Sequence, residues 1–382
     1  MRIVKIKRNR NLMRFRNDYI IVDNKTAYLI EILDKSMNVQ DFANQVNFPI
    51  NKAQRILQKI EQKLSNPNYY QKNLFLNNPI KVQWKITNKC NLRCKHCYLG
   101  ALSQKTLDAY ELTKITEKII NAGVLEVTIT GGEALLVPNL LEIVEKFVRN
   151  QIYVKIFSNG TLLIPFLEKI KKLNNVEEFK KFLTFSLSVD GLKITHDKIR
   201  GDGTFECVQQ SIKELKALGF VIIINCVVSK INYNDIPQLL LLLNDMGVKN
   251  IQLSNIIIRG NADVSMRLTR AEKMFLTEKI KHLAQSNNIH VLYGEEDGFD
   301  NVIYKDNNMI NGYFVENWKC CAGVTRMTID YDGNVYCCPF CKDFSLGNIV
   351  NQDIFEIWRN KNRFKFLDKL SNSKQKVEEC VL

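Results

Sequence analysis

No apolar run in this 382-residue chain approaches the ~18 residues that a membrane-spanning helix needs. The longest, "VIIINCVV" (221–228) and "QLLLLL" (238–243), have the lengths of a core strand and a core helix. The basic N-terminus, "MRIVKIKRNRNLMRFR", lacks the apolar stretch and the small-residue cleavage site of a secretory signal. A cytoplasmic protein with no membrane partner is therefore expected. Internal repeats and low-complexity tracts are absent too. With 46% hydrophobic and 25% charged residues the chain is not mainly disordered, and its length calls for two or three units.

Another absence is more informative. "CNLRCKHCY" (90–98) packs three cysteines into eight positions, and no fourth follows within a hundred residues. A structural zinc site needs four ligands. The cluster is either part of a zinc site completed by His96 or a set with one coordination position left open. A reducing compartment favours metal or redox work for the eleven cysteines over disulfides. They are grouped: Cys90, Cys94 and Cys97, then Cys320, Cys321, Cys337, Cys338 and Cys341, with Cys380 beyond. Cys207 and Cys226 stand alone and read as inert thiols.

The net charge of +14 is uneven, because residues 1–75 carry fourteen Lys/Arg against six Asp/Glu. Such a module suits an acidic partner, either nucleic acid or an acidic peptide. Its pattern is three short strands ("RIVKIKR", "NLMRF", "DYIIVDN") and three helices ("TAYLIEILD", "NVQDFANQV", "INKAQRILQKIEQKL"). A polar, proline-bounded linker at 65–79 ends it.

From residue 80 strands and helices alternate. Strands are expected at 81–87, 125–130, 152–158, 182–189, 220–228 and 250–258, separated by amphipathic helical stretches. Six β/α units imply a parallel sheet, open or rolled into part of a barrel, with functional residues after the strands. The motifs obey: the cysteine loop follows the first strand, "GGE" (131–133) the second, "SNGT" (158–161) the third and "VDG" (189–191) the fourth. After about residue 290 the rhythm fades into a cysteine-rich segment. There "RMTIDYDGNVYCC" predicts a hairpin turning at Asp332-Gly333, and "IFEIWRN" a short helix.

C-x3-C-x2-C after the first strand and "GGE" after the second resemble the radical S-adenosylmethionine superfamily. The resemblance implies a partial (β/α)6 TIM-type barrel over residues 77–290. In it Cys90, Cys94 and Cys97 hold a [4Fe-4S] cluster whose open iron binds S-adenosylmethionine, the source of a 5′-deoxyadenosyl radical. By the same resemblance Gly131, Gly132 and Glu133 receive the methionine ammonium, and His96 touches the adenine. Ser158 and Asn159 lie near the methionine moiety, and Ser188 and Arg200 contact the ribose and carboxylate. An electron donor such as flavodoxin or ferredoxin is implied.

"CCAGVTRMTIDYDGNVYCCPFCKDFSLGNI" resembles the auxiliary-cluster extension called SPASM, or its shorter twitch form, here assigned to residues 291–382. At least one auxiliary [4Fe-4S] cluster follows. Its ligands would be one of Cys320/Cys321, one of Cys337/Cys338, Cys341 and Cys380. Residues 1–76 resemble the winged-helix-like RiPP recognition element, an α+β module that binds the leader of a ribosomally made precursor as an added strand. The whole is similar to the sactisynthases: "TNKCNLRC", "TGGE" and "VDGLKITHDKIRG" carry that likeness. It implies a thioether between a cysteine sulfur and an α-carbon of a precursor peptide with an acidic leader. Carbon–carbon cross-linking and α-carbon epimerisation, the latter with a thiol such as Cys226 as hydrogen donor, use similar architectures. A cysteine-rich, redox-sensing nucleic-acid binder is the alternative from another class.

Overall fold

Strand and helix periods assemble as the sequence implies, with β-strands at 290–294, 300–302 and 341–348 beyond those expected. The computed structural model describes residues 3–7, 10–15, 18–22, 38–45, 49–65, 78–100, 106–294, 300–302 and 322–372. Strands β1 (Ile3–Lys7), β2 (Arg10–Phe15) and β3 (Asp18–Val22) form an antiparallel sheet with β2 in the middle. Helices α1 (Val39–Gln45) and α2 (Ile50–Ser65) meet through Phe42, Ala43 and Ala53. The expected helix over "TAYLIEILD" lies outside the described residues.

The core is a run of parallel strands, each paired with the next: β4 (Lys81–Thr87), β5 (Glu126–Gly131), β6 (Tyr153–Ser158), β7 (Leu183–Ser188), β8 (Val221–Val228), β9 (Asn250–Asn255) and β10 (His290–Gly294). The intervening helices are α3 (Ala109–Asn121), α4 (Leu140–Arg149), α5 (Leu163–Lys171), α6 (Val176–Phe182), α7 (Lys193–Arg200), α8 (Thr204–Ala217), α9 (Ile236–Asp245) and α10 (Arg270–Asn287). Helix α4 shows why they form. Leu140, Ile143, Val144, Phe147 and Val148 make one buried stripe, whereas α3 starts on an Asp108–Glu111 capping box. Gly123 and Gly219 take left-handed φ values of 73° and 78° just past α3 and α8.

Strand β10 is the seventh parallel strand, one beyond the six expected. Its helix α10 buries only Leu276, Ile280 and Ala284, so the apolar period there is thin. The capping box Thr269–Glu272 marked its start in the sequence.

Burial alternates along β6 and β8, so only one face of the sheet is sealed by helices. The other face mixes polar with apolar side chains, Phe157, Ile223 and Val227 among the latter. Gln83, Thr128, Lys155 and Thr184 stand in one in-register row, and Ser188, Asn225 and Gln252 in another. Among the described residues no helix is long and apolar enough to cross a membrane.

The C-terminal segment continues the same sheet. Strand β11 (Asp300–Val302) flanks β10, while β12 (Arg326–Ile329) runs parallel to β4 and leads to β13 (Asn334–Cys338) and β14 (Cys341–Asn348). Helices α11 (Ile354–Trp358) and α12 (Lys361–Asn372) follow. The expected hairpin is present with a longer turn than the two residues predicted. Asp330 donates its N–H to the Asn334 carbonyl, and Gly333, at φ 81°, donates to the Asp330 carbonyl. Gly333 in the left-handed region closes this three-residue loop, and the Asp330 side chain at its start is buried between cations.

Asp330 accepts Lys85 of β4 on one oxygen and Lys342 of β14 on the other, the latter at 2.6 Å. Burial opposes its ionisation, yet Lys342 and Lys85 outweigh this and hold the carboxyl below the usual range. Lys118 of α3 adds a clasp, donating to the carbonyls of Ile349, Val350 and Gln352. Asp330→Ala would strand the buried Lys85 and is expected to cost about 3–5 kcal/mol in denaturant unfolding. Because the folded pKa is depressed, Asp330's contribution is present above pH ~4 and is lost as the pH falls below that. A variant with unchanged stability at pH 7 would contradict this role.

Candidate active site

The carboxyl ends of the parallel strands carry the site, and the cysteine loop after β4 is its centre. Lys89 donates its N–H to Thr87 Oγ1, and Cys97 N–H closes a turn on the Cys94 carbonyl. Leu92 donates to the Cys90 sulfur at 3.4 Å, a bond that favours the thiolate.

The Gly-Gly-Glu turn lies directly against this loop. Gly132 and Glu133 donate to the carbonyls of Thr87 and Lys89 at 2.9 and 2.8 Å. A Cβ on Gly132 would stand 2.2 Å from the Lys89 oxygen, and one on Gly131 would stand 2.6 Å from the Thr87 oxygen. No other residue type fits either position without moving the loop. Glu133, 1% exposed, receives N–H groups from Leu135 at 3.1 Å and Asn159 at 2.8 Å. Burial pushes its pKa up, against those two amides and Ser158. Its carboxylate thereby fixes the ends of β5 and β6 together.

The third-strand turn interlocks with the same loop. Asn159 donates to Asn91 Oδ1, Asn91 donates to Thr161, and Ser158 Oγ accepts the Gly160 N–H. Ser188 ends β7 on the face away from the helices, in register with Asn225.

His96 and Arg200 converge on a residue the sequence reading did not single out. Asp190 Oδ2 accepts Arg200 Nε and lies 2.7 Å from His96 Nε2, while Oδ1 accepts the Val227 N–H. Asp190 is fully buried, which opposes its charge, but the Arg200 and His96 charges and these bonds hold it far below the usual carboxylate range. Arg200 also reaches the Cys94 sulfur at 3.9 Å. His196 Nδ1 accepts the Asp190 N–H, which requires a neutral ring, and burial pushes its pKa down to about 4.

Burial pushes the Cys94 thiol up to about 11, opposed by Arg200, and raises Cys90 as well. Thiols so placed keep their protons until a metal displaces them. Three soft donors on one loop fit a cubane iron–sulfur cluster. His96 is turned to Asp190, so a zinc site completed by His96 fits less well.

The second cysteine group is partly described. Cys338 faces Cys341 across the β13–β14 turn, and the N–H groups of Phe340 and Cys341 point at the Cys338 sulfur. Cys337 is 1% exposed on the opposite face, where a Cβ on Gly323 would lie 3.0 Å from its sulfur. Cys320, Cys321 and Cys380 lie outside the described residues.

Sequence reading also missed Asn261. It donates its N–H to the Cys97 carbonyl at 2.9 Å and its side chain to the Cys94 carbonyl at 3.1 Å. "RGNA" (259–262) follows the sixth strand, so the rule that placed the other motifs would have found it.

Residues 84–243 match the Radical SAM superfamily, and residues 320–381 match the SPASM iron–sulfur cluster-binding domain. The AdoMet-dependent heme synthase of Methanosarcina barkeri is 26% identical over 319 residues, 80% of this chain and 89% of that protein. The antilisterial bacteriocin subtilosin biosynthesis protein AlbA of Bacillus subtilis is 26% identical over 287 residues, 74% of this chain and 60% of that one. Among solved structures, Streptococcus suis SuiB bound to precursor peptide SuiA superposes with a TM-score of 0.66 at 16% identity. That match covers 96% of this chain and 90% of SuiB.

Two outcomes are expected. Gly132→Ala should lose most of the iron held by the first cysteine group while second-group iron stays, measured by iron content and EPR; full retention would refute the close-packing argument. His196 stabilises the fold only when neutral, so its contribution is complete above pH ~6.5 and is lost as the pH falls towards 4, by roughly 3 kcal/mol at most. Melts of the iron-free chain should show this slope, and His196→Asn should remove it.

Proposed function

Because the chain is a radical S-adenosylmethionine enzyme with a SPASM-type iron–sulfur extension, we propose that it matures a ribosomally made peptide whose leader docks on residues 1–76. The observation that carries this reading is the N-terminal sheet. Its strand order leaves β3 at an edge, where an extended peptide adds as a further strand. The SuiB match spans 96% of the chain and so takes in most of this unit, whereas the heme synthase match leaves a fifth of the chain aside. The surplus of eight positive charges in residues 1–75 would steer an acidic leader.

Cys90, Cys94 and Cys97 would hold the first cluster. With S-adenosylmethionine bound, that cluster supplies a radical able to take a hydrogen atom from the substrate. The remaining site residues position and enclose. Glu133 keeps lone pairs for an ammonium after accepting its two amides, and Gly131 and Gly132 bring it close to the loop. Ser158 and Asn159 hold the third-strand turn, and Ser188 lies on the face away from the helices. Arg200 and His96 keep the cysteine loop in place through Asp190. The auxiliary cluster would use Cys338 and Cys341 with Cys320 or Cys321 and Cys380; Cys337, buried on the opposite face of β13, is the less favoured member of its pair. A flavodoxin or ferredoxin would supply the electrons.

Among the products, a thioether from a substrate cysteine sulfur to an α-carbon is the one we favour. Epimerisation through Cys226 is disfavoured. That thiol is fully buried, in register with the helix-facing side of β8, and takes an Asn232 bond. A tetrapyrrole substrate is the rival that the heme synthase likeness raises, and it gives the N-terminal unit no role.

The test is anaerobic reconstitution with a reductant. Methionine and 5′-deoxyadenosine should be released, and Cys90→Ala/Cys94→Ala/Cys97→Ala should abolish release while second-group iron remains. An acidic leader peptide should bind in a salt-sensitive way. Proline at Ile20 or at Ile21 in β3, one of which removes an outward N–H, should weaken binding at least tenfold and spare cleavage. Leader binding that ignores both variants would refute the docking site.

A further inference from the structure

Two cysteine groups that lie far apart in the sequence meet through one short segment after β9. Gly260, at φ 63°, is pressed so closely on the first loop that a Cβ there would stand 2.4 Å from the Cys97 oxygen and 2.5 Å from Gly100 N. Asn261 ties down the carbonyls of both Cys94 and Cys97. The preceding residue reaches the other way: Arg259 Nη1 donates to the carbonyl of Phe340, which lies between Cys338 and Cys341. A second bridge runs beside it. The ring of Tyr98, next to Cys97, meets the Phe340 ring edge-to-face at 5.4 Å and 78°.

We propose that Arg259, Gly260 and Asn261 couple the two iron–sulfur sites, with Arg259 as a positioning residue that fixes the Cys338–Cys341 turn and sets the charge beside it. The segment has no slack, because consecutive residues are committed to different loops. A displacement of the Phe340 turn is therefore passed to the Cys94–Cys97 turn. Electrostatics act in the same place. A cluster held by thiolates is net negative, so a guanidinium beside it favours the reduced state and raises the potential. Arg259 is solvent-exposed, so salt screens this effect and low ionic strength reveals it.

The inference rests on the two-cluster reading and not on the peptide reading, so its test needs no substrate. The full chain is reconstituted anaerobically and both clusters are titrated by EPR at low salt. In Arg259→Ala the second cluster's midpoint should move to more negative potential. Arg259→Lys, which keeps the charge, should restore it, and Arg259→Gln, which keeps a donor to Phe340, should not. In the parent, Cys338→Ala/Cys341→Ala should alter the first cluster's line shape, and Tyr98→Ala with Arg259→Ala should mute that change. Superimposable titrations of parent and Arg259→Ala, or a first-cluster signal indifferent to the second group, would overturn the coupling. A parent that loads one cluster alone would overturn the two-cluster reading itself. Thermal melts of Arg259→Lys separate either result from a failure to fold.

Discussion

The buried carboxylate of Asp190 is the constraint on which the site depends. Its oxygens take Arg200, His96 and the Val227 N–H, its backbone N–H goes to His196, and its carbonyl accepts Asn232. A fully buried charge is tolerable only when paired and bonded in this way. The pairing recruits the cysteine loop, α7 and β8 at once, so the orientation of that loop is inherited from the core. Any change that removes Asp190 leaves Arg200 and His96 without their shared acceptor in a dry interior.

The two faces of the sheet are built differently. Helices seal the outer face with Leu, Ile, Val and Phe, while Thr, Lys, Asn and Gln stand in register on the inner one. The division separates stability from chemistry. Substitutions under the helices report on folding, and substitutions on the inner face report on the ligand.

Much of this was legible in the residues. Period and motif order gave six strands of the parallel run β4–β10, the hairpin near the C-terminus and the convergence of "CNLRCKHCY", "GGE" and "SNGT" on one rim. Strand β10 was hidden because α10 buries too few side chains to display a strong period. Asp190 sat in plain view in "VDG", but nothing in a sequence says that a carboxylate will meet a histidine 94 positions earlier. That Cys337 and Cys338 take opposite faces of β13 follows from strand alternation, but which face is the buried one needed the fold. Asn261 needed only the rule that functional residues follow parallel strands, applied to one more strand.

The pairing of β4 with β12 carries a temporal consequence. Strand β4 acquires its second neighbour only after residues 326–329 have been made, some 240 positions downstream. During synthesis its outer edge stays open, an adhesive ribbon of backbone groups beside the cysteine loop. High contact order of this kind slows maturation and favours aggregation. Cells producing the enzyme would therefore gain from a chaperone that shields this edge until the last hairpin arrives.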